Sequence, residues 1–120
     1  MGKINCRIGE INVVCTDAEK SLRFYRDILG FEVLGEDGGC WHLACGETKF
    51  LLLPFAGSPR KPPKYCAEAS FSVDLLVSDL QATKKFFESE GVDFVKEVSP
   101  NEERFFIRDP DGLVLEIIQS

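Results

Sequence analysis

Apolar and polar positions along this chain fall into two long, matching phrases. Residues 8–15, Ile8-Gly9-Glu10-Ile11-Asn12-Val13-Val14-Cys15, and residues 71–77, Phe71-Ser72-Val73-Asp74-Leu75-Leu76-Val77, are apolar, β-branched runs with polar residues at alternate places. Such alternation predicts strands. Each run stops at the same helix-start signal, Thr16-Asp17-Ala18-Glu19 in one case and Ser78-Asp79-Leu80-Gln81 in the other, and both fit a capping box. Amphipathic stretches follow, with Ala18, Leu22, Tyr25 and Leu29 on one face of the first and Leu80 and Phe87 on one face of the second. Gly30 and Gly91 then stand where a left-handed helix end is wanted. Helices are predicted over 17–29 and 79–90.

After each helix come three short strand-like runs: 31–36, 40–45 and 49–53 in the first half, and 92–98, 104–108 and 113–119 in the second. Asp37-Gly38-Gly39, Gly46, Pro100-Asn101 and Asp109-Pro110-Asp111-Gly112 divide them as turns. The unit is β-α-β-β-β, used twice. Asp17 and Asp79 are 62 positions apart, as are Phe24 and Phe86, whereas Gly30 and Gly91 are 61 apart, so the second helix is one residue shorter. Two copies argue for a pseudo-symmetric pair, because solenoids need three or more units. The predicted fold class is α+β: one domain over 1–120, with module one at 4–54, a connector at 55–68 and module two at 69–120. Its curved sheets are expected to surround a shared cleft. Pro59, Pro62 and Pro63 make the connector extended, and Arg60, Lys61 and Lys64 read as a solvated basic stretch.

Composition narrows the classes of function. A formal charge of −6 over 120 residues disfavours nucleic acid and anionic lipid, which ask for a basic footprint. No apolar run approaches the ~20 residues of a membrane span, and the stretch from Met1 to Arg7 lacks the apolar centre of a signal peptide. Five cysteines without a Cys-x-x-Cys pair suit a reducing compartment, so a cytoplasmic setting is expected. Cys6, Cys15, Cys40 and Cys45 read as small apolar fillers, and Cys66 as the thiol most open to reaction.

The duplication carries Asp-x-x-x-Ser-x-x-Phe-Tyr-x-x-x-Leu-Gly-Phe at Asp17 to Phe31 and Asp-Pro-Asp-Gly-x-x-x-Glu at Asp109 to Glu116. In this it resembles the vicinal oxygen chelate superfamily, which includes glyoxalase I, the extradiol dioxygenases and the bleomycin-resistance proteins. The resemblance implies a cavity between paired sheets and, in the enzymes of that group, a divalent metal held by four His, Glu or Gln slots. Here the first-strand slots fall on Glu10 and Ser72, the last on Glu116, and the fourth within Phe50-Leu51-Leu52, none of which can ligate a metal. His42 is the single histidine. It excludes a two-His-one-carboxylate iron centre within one chain and most zinc sites. No metal cofactor is therefore expected. An all-oxygen magnesium or manganese site using Glu10, Asp74 and Glu116 is the alternative.

Alternate strand residues share a face. If Glu10 faces the cleft, so do Ile8, Asn12 and Val14, while Ile11, Val13 and Cys15 pack under the helix. The same phase puts Ser72, Asp74 and Leu76 in the cleft and Phe71, Val73 and Leu75 beneath the second helix. In the last strand Val114, Glu116 and Ile118 face the cleft, and Leu115 and Ile117 the core. Three carboxylates, Glu10, Asp74 and Glu116, thus point to one cavity, with Asn12 and Ser72 as neutral polar neighbours. The competing expectation is that Arg104 or Arg108 turns inward and pairs with them. Trp41, Phe50 and Phe106 offer flat surfaces for a ligand, or else ordinary packing. His42 alternates with Trp41, so at most one of them faces the cleft.

The leading functional reading is a small-molecule binding protein, a homodimer, that sequesters a cationic, partly aromatic compound, as the resemblance to bleomycin-resistance proteins implies. A metal-dependent lyase, isomerase or transferase is the second reading. A non-catalytic interaction module is the third.

Overall fold

The computed structural model describes residues 2–59, 61 and 63–120. Met1, Arg60 and Pro62, which entered the readings of the N-terminus and connector, lie outside the described residues. The order of elements is β1 (Glu10–Val14), α1 (Ala18–Leu22) running on into π-helical turns (Arg23–Ile28), β2 (Glu32–Asp37), β3 (Cys40–Cys45) and β4 (Thr48–Leu53). Then come β5 (Ser72–Val77), α2 (Leu80–Ser89), β6 (Asp93–Phe94), β7 (Arg104–Arg108) and β8 (Val114–Gln119). The chain is thus α+β, with β-α-β-β-β used twice. It divides into two compact units, Met1–Gly57 and Ser58–Ser120.

Each unit holds a four-stranded mixed sheet, in the order β1-β4-β3-β2 in the first and β5-β8-β7-β6 in the second. The opening strand pairs in parallel with the closing one, and the other pairings are antiparallel. Val13, Cys15, Leu43, Phe50 and Leu52 bury the helix-side face of the first sheet, against Phe24, Tyr25 and Ile28. Phe105, Ile107, Leu115 and Ile117 do the same in the second, with Leu80 and Phe87 from α2. One strand-phase assignment fails: Phe71 precedes β5 and is 94% exposed, so it packs under no helix.

The helix starts are set by aspartates rather than by the preceding hydroxyl residues. The Asp17 carboxylate accepts from the backbone N–H of Glu19 at 2.9 Å and of Lys20 at 3.2 Å. Asp79 accepts from Ala82 N–H at 3.0 Å, and Gln119 Oε1 takes the Leu80 N–H at 2.9 Å. Both devices satisfy donors that a helix start leaves orphaned. Replacing Asp79 by Ala is expected to lower unfolding free energy by about 1 kcal/mol, read as a shift in urea midpoint. Gly30 (φ 80°) and Gly91 (φ 72°) end the helices in the left-handed region, as the sequence predicts. The extra residue of the first helix is taken up by the π-helical turns, where Leu29 N–H reaches back five residues to the Phe24 carbonyl.

Two expectations for the second unit need correction. The strand predicted over 92–98 is regular only at Asp93 and Phe94, with one more backbone contact from Val95 N–H to the Phe106 carbonyl at 2.9 Å. The connector is not simply solvated either, because its later part belongs to the second unit. Buried Arg108 donates to the Pro63 carbonyl at 3.2 Å, the Gly112 carbonyl at 3.0 Å and Glu97 Oε2 at 3.0 Å. Tyr65 stacks against Phe106 with ring centroids 5.4 Å apart. Segment 96–100 follows Arg108 and the Val95–Phe106–Val114 cluster instead of continuing along β7. Of the cysteines, only Cys15 is buried, so Cys6 and Cys45, both exposed, are not fillers.

Candidate functional site

In the first unit, register decides which side chains meet. Glu10 of β1 lies opposite Lys49 of β4, and Lys49 opposite Ala44 of β3. Asn12 lies opposite Leu51, and Leu51 opposite His42. Glu10, Asn12, Lys49, Leu51 and His42 therefore share the face away from the helix. Glu10 reaches diagonally over β4, and its Oε2 sits 2.8 Å from His42 Nδ1. The two side chains keep about a third of their surface in solvent. With Nδ1 committed to Glu10, Nε2 is the nitrogen left for a ligand.

This pair forms part of a pocket of about 640 Å³, whose other charged residues are Glu36, Glu47 and Lys49. Leu34, at the irregular step between Val33 and Gly35, adds an exposed apolar edge, and Gly35 opposite His42 leaves the space above the imidazole open. One oxygen of Glu36 accepts from Gly39 N–H at 2.7 Å, which fixes that carboxylate beside its own hairpin turn. Glu36 lies opposite Trp41, so its side chain leaves toward the other face, and Glu10 and Glu47 are the carboxylates left beside the single lysine, Lys49. Sequence reasoning missed Glu36, Glu47 and Lys49 and left His42 without a partner. The turns at Gly38-Gly39 and Gly46 mark the β2–β3 and β3–β4 registers, but the parallel β1–β4 register that puts Lys49 beside Glu10 has no turn to mark it.

The aromatic candidates fare differently. Trp41 pairs with Leu52, on the helix-side face opposite to His42. Phe50 is 2% exposed and packs between Tyr25 and Phe31, with centroids at 6.3 and 4.9 Å. Alternation along the strands places both away from Glu10, so neither lines its pocket.

In the second unit Asp74 lies opposite Glu116, and Glu116 opposite Phe106, all on one face. Glu116, however, accepts from Arg104 Nη1 at 2.6 Å and keeps only 13% of its side chain exposed. The inward-turning arginine is real for Glu116, while Arg108 serves Glu97 and two carbonyls instead. Ser72 Oγ is 2.8 Å from the Tyr65 hydroxyl. Asp74 stays exposed. Phe106 is buried against Tyr65, Val95 and Val114. Neutralised by its own sheet, Glu116 drops out of the three-carboxylate cation cluster expected from strand phase.

The register also identifies the fourth metal slot. Glu116 faces Asp74, whose counterpart 62 positions earlier is Asn12, and Asn12 faces Leu51. The four slots are then Glu10, Leu51, Ser72 and Glu116. Leu51 has no donor atom, Ser72 is held by Tyr65, and Glu116 is held by Arg104. In neither unit does the pair of slots fit a divalent ion. Among the described residues no three His, Cys, Asp or Glu side chains come together as a metal site. Among them, too, no helix is long and apolar enough to cross a membrane.

Comparison with known proteins agrees with this architecture. The model of the Glyoxalase/Bleomycin resistance protein/Dioxygenase superfamily matches residues 7–117. The uncharacterized protein YaeR of Escherichia coli (strain K12) is 34% identical over 95% of this chain and 96% of its own. Glyoxylase I 4 of Arabidopsis thaliana is 28% identical over 92% of this chain and 68% of its own. Among solved structures, TnmS3, an antibiotic binding protein from Streptomyces sp. CB03234, superimposes with a TM-score of 0.65 at 25% identity, covering 96% of this chain and 98% of its own. A match over nearly the whole length, together with the duplicated β-α-β-β-β unit, places this chain in the glyoxalase/bleomycin resistance protein/dioxygenase superfamily.

Proposed function

We propose that this protein binds a cationic, partly aromatic small molecule on the sheet face carrying Glu10 and His42, and that it does so without a catalytic metal. One observation carries the reading: the pocket of about 640 Å³ sets Glu10 and Glu47 beside Lys49, its one lysine. Its size suits a drug-sized ligand. A surplus of carboxylates beside apolar Ile8 and Leu34 favours a cation with an apolar body. Asn12 lies on the same face but outside the pocket lining. That a relative of the same fold, TnmS3, is an antibiotic binding protein supports binding as a function this architecture serves.

The metal-free part is tested by elemental analysis of protein purified without chelators. Zinc, iron, nickel and manganese are expected well below one equivalent per chain. Near one equivalent of any of them would restore the enzyme reading. The binding part is tested by a thermal-shift screen of cationic aromatic compounds, in which a ligand at a hundredfold excess over Kd adds about 2.7 kcal/mol.

The active form is a homodimer. Strands β1 and β5 each lie at the edge of their sheet, and Val14 and Leu76 hold equivalent places on them, 53% and 68% exposed. Exposed apolar residues on strand edges invite pairing, and closed two-fold assemblies are the commonest way to cover them. Sedimentation at micromolar concentration is expected to give twice the chain mass, and a monomer there contradicts the dimer.

A further inference from the structure

The second unit contains a separate cavity of about 310 Å³ between α2 and the segment that follows β6. Its apolar wall includes Phe94, Val98 and Phe105, with the Phe94 and Phe105 rings 5.5 Å apart. Two lysines also line it, Lys84 from α2, half-buried, and Lys96, exposed, together with Ser99. Neither lysine has a carboxylate partner among the described residues. Glu97, next to Lys96 in the chain, is held by Arg108 at 3.0 Å and does not neutralise it. Two uncompensated cations beside an aromatic cavity stand out in a chain of net charge −6.

Each feature has a bland account alone, since lysine stems often lie along apolar surface with the charge in water. Their convergence is more informative. A cavity of ligand size, apolar within and ringed by a few polar groups of one sign, selects a molecule of matching polarity. We infer that this cavity binds a small monocarboxylate with an aromatic or short hydrocarbon body, the body against Phe94 and Phe105 and the carboxylate between Lys84 and Lys96. The sign of charge is opposite to that at Glu10, so the two sites take different ligands and are tested independently.

The test uses 3-phenylpropionate as the probe and 3-phenylpropionamide as its neutral counterpart, titrated into the full chain and followed by amide NMR. The anion is expected to give saturable shifts at Lys84 and through 94–99, and none at Glu10 or His42. The amide is expected to bind about tenfold more weakly, the scale of one charge-assisted contact. Replacing Lys84 and Lys96 together by Gln is expected to weaken the anion by at least that factor and leave the amide unchanged. An unaltered spectrum away from the cavity confirms that the variant folds. Equal affinity for anion and amide, undiminished anion binding in the double variant, shifts that map elsewhere, or no saturable binding at millimolar probe would each overturn the assignment. None of these results bears on the Glu10 site, which a cationic probe reads.

Discussion

Replacing Glu10 by Gln is expected to weaken a cationic ligand by about 1.5–3 kcal/mol, roughly ten- to a hundredfold in Kd. Gln keeps the size of the side chain and an oxygen able to accept from His42 Nδ1–H, so the local geometry survives and only the charge is removed. The unliganded protein should lose little stability, because the Glu10–His42 pair at 2.8 Å is about a third exposed on each side. Ion pairs that exposed contribute between zero and about 1 kcal/mol. Calorimetric titration gives the affinity and urea unfolding the stability. Replacing Glu88, an exposed carboxylate of α2 in the other unit, by Gln serves as control and should change neither. If the Glu10→Gln variant unfolds much more readily yet binds the cation as before, Glu10 is a structural partner of His42 and nothing more. Affinity in the wild type should also fall as salt rises, since the attraction is partly screened.

The second large effect concerns stability. Replacing Arg108 by Met is expected to lower unfolding free energy by about 2–3 kcal/mol. Arg108 is 7% exposed and makes three hydrogen bonds, to the carbonyls of Gly112 and Pro63 and to Glu97. Met fills much of the volume of the stem but leaves two carbonyl acceptors without their donor, and burying such groups unpaired costs about 1–3 kcal/mol each. Glu97 is 38% exposed and can rehydrate, so the full penalty for an abandoned buried charge does not apply. Lys at the same place keeps the charge but not the planar fork that serves three acceptors at once, and should recover only part of the loss. The measurement is the urea midpoint at unchanged slope. Because Arg108 also anchors Pro63, limited proteolysis should cut the Arg108→Met variant faster in the 59–68 stretch. A midpoint within error of the wild type would mean that water replaces all three contacts.

Much of the fold was legible in the residues, for a physical reason. The β-α-β-β-β unit is written twice, and each copy carries its own aspartate cap and terminal glycine. The one-residue offset between the Asp and Gly spacings was visible too, but its form as a π-helical turn was not. A surplus residue can be absorbed in several ways, and packing of Phe24, Tyr25 and Ile28 decides among them. The overlong strand over 92–98 had a similar cause. Val92 to Val98 has strand-like composition, yet the last contact along β7 is Val95 N–H to the Phe106 carbonyl, and Glu97 beyond it bonds to Arg108.

The site was legible only in part. Glu10 could be placed by alternation along β1, and the phase of β8 was equally clear. The run Phe50-Leu51-Leu52-Leu53 is apolar throughout, so a period of two gives it no phase. That is why the sequence leaves Phe50 open to either ligand contact or core packing and does not single out Leu51 as the fourth slot. The Glu10–His42 contact spans an intervening strand and depends on two registers at once. Arg104 against Glu116 was foreseen as a competing arrangement, and short-range geometry on neighbouring strands settles it in favour of the ion pair.

The most direct test is a titration of metal-free wild-type protein with a cationic aromatic probe, followed residue by residue through amide NMR. The account predicts saturable binding at one site per chain, with the largest shifts at Glu10, Leu34, Glu36, His42, Glu47 and Lys49. It would be contradicted if no cationic probe bound while one equivalent of a divalent metal bound tightly and moved Glu10 and Glu116 together.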